Sequence, residues 1–341
     1  MIELSQKIIQ LIQTARSRVA VAVNTTMVHT YFEIGRMIVD ELQEGQERAK
    51  YGTNLLNYVS KDLTVQLGKG FSETNLKQMR DFYHAYSIRQ TLSDELNNVS
   101  IENFKNLTFS LSWSHYLLLM RIENLDERNF YEIETHQNQW SVRYLQRQFN
   151  TGLYERLVLS RDKDKIKELA IKGQLMESPQ DLFKEPLILE FLGLEEKNEY
   201  SESDLETALI NQIEKFMLEL GKGFFFGGRQ VRFTFDEDHF KVDLVFYNRL
   251  LQCFVLIDLK IGKLSHQDLG QMLMYTNYYD RFVKTENENK TIGIILCKTK
   301  NKSLVEITLP EENTQIFASK YKTILPTKED FTKILNNYEP Q

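Results

Sequence analysis

All five prolines of this 341-residue chain lie at Pro179 or beyond. No other residue constrains a helix so strongly: proline has no N–H to donate, and its ring collides with the turn before it. The chain ahead of Pro179 is sparse in glycine as well, so little there interrupts long hydrogen-bonded runs. That half is predicted to be helical, and the half that holds the prolines must be built differently.

Hydrophobic spacing gives the helices their extents. Over residues 2–22, Ile2, Leu4, Ile8, Ile9, Leu11, Ile12, Val19 and Val21 recur near the 3.6 period. A second helix is predicted over roughly 24–46, through Met27, Tyr31, Phe32, Ile34, Met37 and Ile38, with shorter ones over 53–67 and 73–87. In "GFSETNLKQMRDFYHAY", Ser72 is a cap candidate, and Leu76, Met79, Phe82 and Tyr83 share one face. The aromatic run 82–86 reads as core. An Asn-rich interval near 90–108 predicts a loop. "LSWSHYLLLMRI" restarts a helix behind Ser112 or Ser114, and two more follow. In the last of these, Ser141 caps a helix presenting Arg143 and Arg147 one turn apart. Short helices with tight turns fit helix-turn-helix or winged-helix-like modules, or else a plain bundle with solvated arginines.

The charged "SRDKDKIKELA" and the proline-bearing "ESPQDLFKEP" mark a boundary over 161–185, between a domain at 1–160 and another at 186–341. Beyond it, "SESDLETALINQIEKFMLELGKG" predicts a helix capped by Ser201 or Ser203 and stopped at Gly221. "FFFGGRQVRFTF" and "HFKVDLVFYN" predict strands around an acidic turn, and "LQCFVLIDLKIG" a third, central strand. "SHQDLGQMLMYTNYYDRFV" predicts a helix and "TIGIILCKT" a buried strand. The expected fold is a two-domain α+β chain: an all-α N-terminal domain and a layered C-terminal α/β domain.

Net charge is −6, and neither half is basic. Residues 1–160 hold 17 Lys/Arg against 18 Asp/Glu, and residues 161–341 hold 25 against 30. A nucleic-acid site must therefore be a local patch. Cys253 and Cys297 lie in apolar runs and read as buried thiols. The amphipathic, acid-containing N-terminus is unlike a signal peptide, and no stretch has the apolar length of a bilayer span. The expected location is the cytoplasm, with no membrane partner.

One strand carries the chemistry. In "LIDLKIGKL", Asp258 and Lys260 sit two residues apart, so both point to one face. Asp243, in "FKVDLVFY", lies on the preceding strand and can converge with Asp258. Two carboxylates that close repel and need a cation. Mg²⁺ suits them, because it takes oxygen ligands from one or two carboxylates, keeps waters and bonds phosphates. Lys260 is then placed to touch a bound water or a phosphate, which is the equipment for metal-assisted phosphodiester hydrolysis. In "GGRQ", the glycines permit close backbone approach, and Arg229 and Gln230 are candidate phosphate contacts, as is Lys263 beyond the triplet. His239 and His266 lack ligand spacing and read as structural or surface residues.

The order of Asp243, a turn and Asp258-Leu259-Lys260 resembles the PD-(D/E)XK nuclease signature, which implies a restriction-endonuclease-like C-terminal domain. The resemblance implies a further carboxylate from the preceding helix, where Glu206 stands, and a Gln-x-x-x-Tyr pair on the following helix, where Gln271 and Tyr275 stand. It implies Mg²⁺ or Mn²⁺ held by Asp243, Asp258, the Leu259 carbonyl and Glu206. The triplet opens with Asp where many relatives have Glu. "KEPLILEFLGL", "YSESDLETALI", "DLVFYNRLLQCFVLIDLKIGKL", "YFEIGRMIV" and "GFSETNLKQMRDFY" closely resemble the YhcG-type family, over nearly the whole chain. That family pairs a helical domain of unknown function with a PD-(D/E)XK nuclease domain. The expectation is a metal-dependent nuclease acting on DNA, in repair, recombination or defence. Its expected partners are nucleic acid and further copies of the chain. The alternatives are a nucleic-acid- or partner-binding protein that keeps the nuclease fold as a scaffold, or an RNA-directed nuclease.

Overall fold

The computed structural model describes residues 2–44, 49–97, 109–159, 163–194, 200–235, 237–300 and 302–324. They fall into two compact units, 1–146 and 147–341.

The first unit is helical, with α1 (Ile2–Glu44), α2 (Ala49–Leu67), α3 (Glu73–Asn97), α4 (Trp113–Leu119), α5 (Leu125–Gln137) and the start of α6 (Val142–Asn150). α1 is one helix of 43 residues, where a break was expected near 22–24. The polar run Asn24-Thr25-Thr26 does not stop it. Thr26 Oγ1 donates to the Ala22 carbonyl at 2.9 Å and Thr30 Oγ1 to the Thr26 carbonyl at 2.9 Å. A hydroxyl folded back onto its own helix no longer competes with the backbone. α3 likewise runs on to Asn97, into the interval expected as loop, and residues 98–108 lie outside the described residues. Ser72 caps α3 as expected, its Oγ accepting from Asn75 N at 3.3 Å.

α1 and α3 meet at Gly35, where an added Cβ would run into the Met79 carbonyl. That close approach lets Ile38, Leu56, Leu76 and Met79 form one apolar cluster. Beside it, Phe32, Phe82, Tyr86, Phe109 and Tyr116 pack as an aromatic core, with Phe82 within 5.0 to 5.8 Å of the other four ring centroids. The 82–86 run is thus core. Among the described residues no strand precedes Leu187, and none of them forms a β-wing in the helical half.

The second unit adds α7 (Leu153–Leu159), α8 (Lys163–Lys172), β1 (Leu187–Ile188), α9 (Glu202–Asn211), α10 (Ile213–Leu220), β2 (Phe224–Phe235), β3 (Asp238–Asn248), β4 (Cys253–Lys263), α11 (His266–Tyr278), β5 (Ile292–Thr299), α12 (Lys302–Thr308) and β6 (Ile316–Lys322). The expected single helix from Ser201 is two, parted at Gln212 (φ −121°, ψ 30°). Ser201 is its cap, exchanging hydrogen bonds with Asp204 at 2.8 and 3.1 Å, and Gly221, at φ 112°, ends it.

One six-stranded sheet has the order β1-β6-β5-β4-β3-β2. β2, β3 and β4 form the expected antiparallel meander, whereas β4, β5, β6 and β1 are parallel. Leu205, Leu209 and Phe216 of α9 and α10 cover one face, packing on Leu244, Phe246, Ile257 and Leu259. Leu269, Met272, Tyr275 and Tyr279 cover the other, against Val245, Leu256, Ile295 and Cys297. β4 is therefore buried on both sides, which is why it reads as a near-continuous apolar run. Both cysteines are buried and free.

A charge cluster ties α6 and α7 into this unit. Glu219 is fully buried; its Oε1 accepts from Arg156 Nη1 at 2.5 Å and from Ile188 N at 3.0 Å. Burial alone would raise the Glu219 pKa, but Arg156, Lys184 and Arg147 outweigh it and hold the carboxylate below its usual range.

Candidate active site

The site opens where the sheet splits. The β3–β4 ladder runs from Asn248↔Cys253 to Leu244↔Ile257 and stops, while β4 continues beside β5 to Lys263. Past the split the Leu259 N–H has no β3 carbonyl to meet. It donates instead to Asp243 Oδ2 at 2.9 Å, so the acid side chain closes the ladder. On β3's other edge the register slips between Phe226 and Gly228. Gln230, which faces Asp243 between the Arg229↔Leu244 and Val231↔Val242 pairs, is in the left-handed region at φ 47°. A side chain forced into that conformation is backbone strain kept by its surroundings.

Asp258 and Lys260 share a face, as expected. Lys260 Nζ lies 3.0 Å from Asp258 Oδ2, 3.7 Å from Glu202 Oε2 and 3.9 Å from Asp268 Oδ1. Asp258 is 4% exposed. Burial pushes its carboxyl up and nearby Asp243 adds to this, so that Asp258 titrates at about 7 even with Lys260 beside it. Burial pulls Lys260 down, but the carboxylates around it, Asp258 foremost, prevail and raise its pKa.

Glu206, from α9, is buried against the same region. Its pKa is raised by burial and by Asp243, with Arg229, Gln230 and Lys241 pulling the other way. Gln230 departs from its expected role as a phosphate contact. Its Nε2 donates to Glu206 Oε2 at 2.7 Å and to Asp243 Oδ1 at 3.1 Å, so the amide joins two carboxylates instead of facing solvent. Arg229 is exposed, with Nε 3.5 Å from Glu206 Oε1.

On α11 the expected pair forms: Gln271 Nε2 donates to the Tyr275 hydroxyl. Burial raises the Tyr275 pKa, the Gln271 bond counters this, and Asp258 and Asp243 push it up further, so the pair lies within electrostatic reach of the acids. Lys263 is exposed at the end of β4. Arg143 is exposed on α6, but Arg147 is not a free phosphate donor, which corrects the sequence reading. Its guanidinium donates to Glu190 at 2.9 and 3.2 Å and lies 3.5 Å from Glu219. One turn of separation matched a phosphate pair but could not reveal that the second arginine meets the half-buried Glu190 and the buried Glu219.

Sequence reasoning also missed Glu202 and Asp268, which surround Lys260. Asp268 had a visible signal of another kind, since it forms a capping box with Ser265 at 2.8 and 3.3 Å. Glu202 carries none beyond its place in the first turn of α9.

The donor set can be weighed for a cation. Glu206 Oε1 and Asp258 Oδ2 are buried oxygens whose neighbours are cations: Arg229 Nε lies 3.5 Å from the first and the Lys260 ammonium 3.0 Å from the second. Among the described residues no three His, Cys, Asp or Glu side chains close into a metal-holding group. This does not make the three-carboxylate cage expected of Asp243, Asp258 and Glu206. Two hard carboxylates completed by a backbone carbonyl and water do suit Mg²⁺ or Mn²⁺, and Asp243 and Asp258 beside Leu259 fit that description.

Residues 7–156 match the DUF1016 N-terminal domain, and residues 180–336 match the YhcG PDDEXK nuclease domain. The class is thus a PDDEXK nuclease domain carried behind a helical domain. The protein named "Putative nuclease YhcG" of Escherichia coli (strain K12) is 42% identical over 336 residues, 94% of this chain and 89% of that protein. This chain belongs to the YhcG family. Among solved structures, a repair endonuclease from Pyrococcus abyssi aligns with a TM-score of 0.24 and 16% identity, over 38% of this chain and 50% of that one. Among the described residues no helix is long and apolar enough to cross a membrane.

Proposed function

We propose that this chain hydrolyses phosphodiester bonds of nucleic acid, DNA first, in a reaction dependent on Mg²⁺ or Mn²⁺, within bacterial repair, recombination or defence. One observation carries the reading: Asp258 is buried beside a second acid, Asp243, with the Lys260 ammonium 3.0 Å from its Oδ2. A purely structural ion pair would not place a second carboxylate beside the first, because the repulsion raises the cost of burying both.

A divalent cation bound at Asp243 and Asp258 would supply charge stabilisation to the scissile phosphate and acidity to a bound water. The chain's own residues do the rest. Asp243 is oriented by the Leu259 N–H and by Gln230. Lys260 is held by three carboxylates, which keep its ammonium protonated and aimed at the position where negative charge develops. Tyr275, fixed by Gln271, walls the acids on the α11 side. Arg229 and Lys263, both exposed, remain candidates for phosphate contact, and exposed Arg143 for a contact from the helical unit.

The test is cleavage of duplex, single-stranded, flapped and branched DNA, and of RNA, with Mg²⁺ or Mn²⁺, beside Asp258→Asn. Metal-dependent cleavage lost in the variant supports the reading. Equal activity of the two proteins, or none on any substrate, overturns it.

A further inference from the structure

The β2–β3 hairpin outruns its neighbour. β3 leaves β4 at Leu244, yet it stays paired with β2 out to Phe235↔Asp238. The outer part is therefore a two-stranded arm beside the carboxylates, and such a ribbon needs support. One face has it: Phe233 stacks on Tyr278 at 4.1 Å with rings 20° apart, and Phe233, Phe240 and Val242 join the cluster under α11.

The alternation that turns those residues inward turns Arg232, Thr234, His239 and Lys241 outward, and all four are exposed. Arg232 and Lys241 are direct cross-strand partners, as are Thr234 and His239. Like charges directly opposite one another on an antiparallel pair repel. Among the described residues neither Arg232 nor Lys241 has an ion-pair or hydrogen-bond partner to relieve this. Arg229 extends the row toward the site, and Lys241 lies within electrostatic reach of Glu206. Acidic Glu237 and Asp238 lie at the tip. In a chain of net charge −6, an opposed pair of exposed cations bordering a carboxylate cleft is the local patch that an anionic polymer requires.

We propose that the outer face of this hairpin, through Arg232 and Lys241, binds the phosphodiester backbone of the nucleic-acid substrate and leads it to the Asp243–Asp258 cleft. This rests on the nuclease reading for the identity of the cleft. The arm's rigidity, set by the aromatic face, lets two basic side chains rooted at Cβ atoms about 5 Å apart hold neighbouring phosphates without ordering a loop.

The experiment measures binding of the full chain to fluorescein-labelled single-stranded DNA, duplex DNA and RNA by anisotropy, in chelator, across salt concentrations. Losing two phosphate contacts lowers the log–log salt slope by about 1.4 on single strands and about 1.8 on duplex. It lowers affinity at 0.1 M salt by roughly 25- to 60-fold. Arg232→Ala/Lys241→Ala is expected to show this, with a denaturation midpoint that does not fall, because the pair is exposed and mutually repelling. Lys215→Ala/Lys290→Ala removes the same charge from two other exposed lysines and is expected to leave the slope unchanged. The probe with the largest change identifies the polymer. Unchanged slope in the hairpin variant, an equal drop in the control, or no wild-type binding to any probe overturns the inference. Asp258→Asn, scored for binding and cleavage in parallel, separates the two claims. If it binds but does not cut, the nuclease reading stands whatever the hairpin does. If the wild type does not cut but the hairpin variant loses binding, the hairpin stands alone.

Discussion

Replacing Asp258 by Asn tests the electrostatics of the site before any substrate is added. Asn keeps the shape and removes the charge, so it mimics the protonated carboxyl. In the folded chain Asp258 titrates at about 7 against an ordinary 3.8. At about 1.4 kcal/mol per pH unit, that gap is worth up to about 4 kcal/mol. The sign follows from proton linkage. Between the two values the folded protein holds a proton that the unfolded chain has released, so stability falls as pH rises. The contribution of Asp258 is intact below about pH 4, declines through the interval, and is fully lost above about pH 7. Asp258→Asn should therefore match the wild type near pH 4 and exceed it by up to about 4 kcal/mol at pH 8.5, in chelator. Urea denaturation of both proteins at five pH values between 4 and 8.5 measures the difference directly. A pH-independent difference, or a variant less stable at pH 8.5, would show that Asp258 is not a desolvated acid pressed against Asp243, and the site reading would fall with it.

Lys260→Ala should bind Mn²⁺ as well as the wild type or slightly better in calorimetry, because a cation leaves the side of the acids. Its cleavage rate should fall by about 10²-fold, and a rate equal to wild type would reduce the triplet to a strand with an ion pair. Gln230→Leu removes the donor shared by Glu206 and Asp243 and should cost about 2–3 kcal/mol at pH 8; an unchanged urea midpoint would mean the amide bridge does not form in solution. Arg156→Ala leaves the buried Glu219 without its closest cation and should cost about 3–5 kcal/mol, most of it recovered in Arg156→Met/Glu219→Leu; no recovery in the double variant would mean the loss is packing and not charge.

The local rules of the chain carried the elements. A half without proline became helices, a doubly apolar strand became the buried centre of the sheet, and capping residues at Ser72, Ser201 and Ser265 opened the helices they precede. Period-two alternation alone put Asp258 and Lys260 on one face, and their 3.0 Å ion pair follows from it. Where the reading missed, the competing force was equally local but weaker in sequence. Thr26 and Thr30 satisfy their hydroxyls within α1, so a polar run did not end the helix. The short β6, "IFASKYK", pairs because β5 presents it an open parallel edge, and the two-residue β1 because β6 then does the same.

Partnerships between distant segments were decided by tertiary structure. Arg143 and Arg147 look alike on a helical wheel. Arg147 became part of a buried ion cluster because Glu190 and Glu219 arrive from segments 43 and 72 residues away, which no periodicity encodes. Gln230 read as a candidate phosphate contact beside glycines, and it lies between Glu206 and Asp243 only because a register slip in β2 and a left-handed backbone turn it inward. The unpaired end of the β3–β4 ladder, which lets the Asp243 side chain take the Leu259 N–H, is likewise a property of two strands and not of either sequence. Side-chain periodicity is set by backbone geometry that each residue shares with its neighbours. Charge compensation depends on which carboxylates and cations meet in space, and that is fixed only when the sheet, its split and its covering helices are assembled.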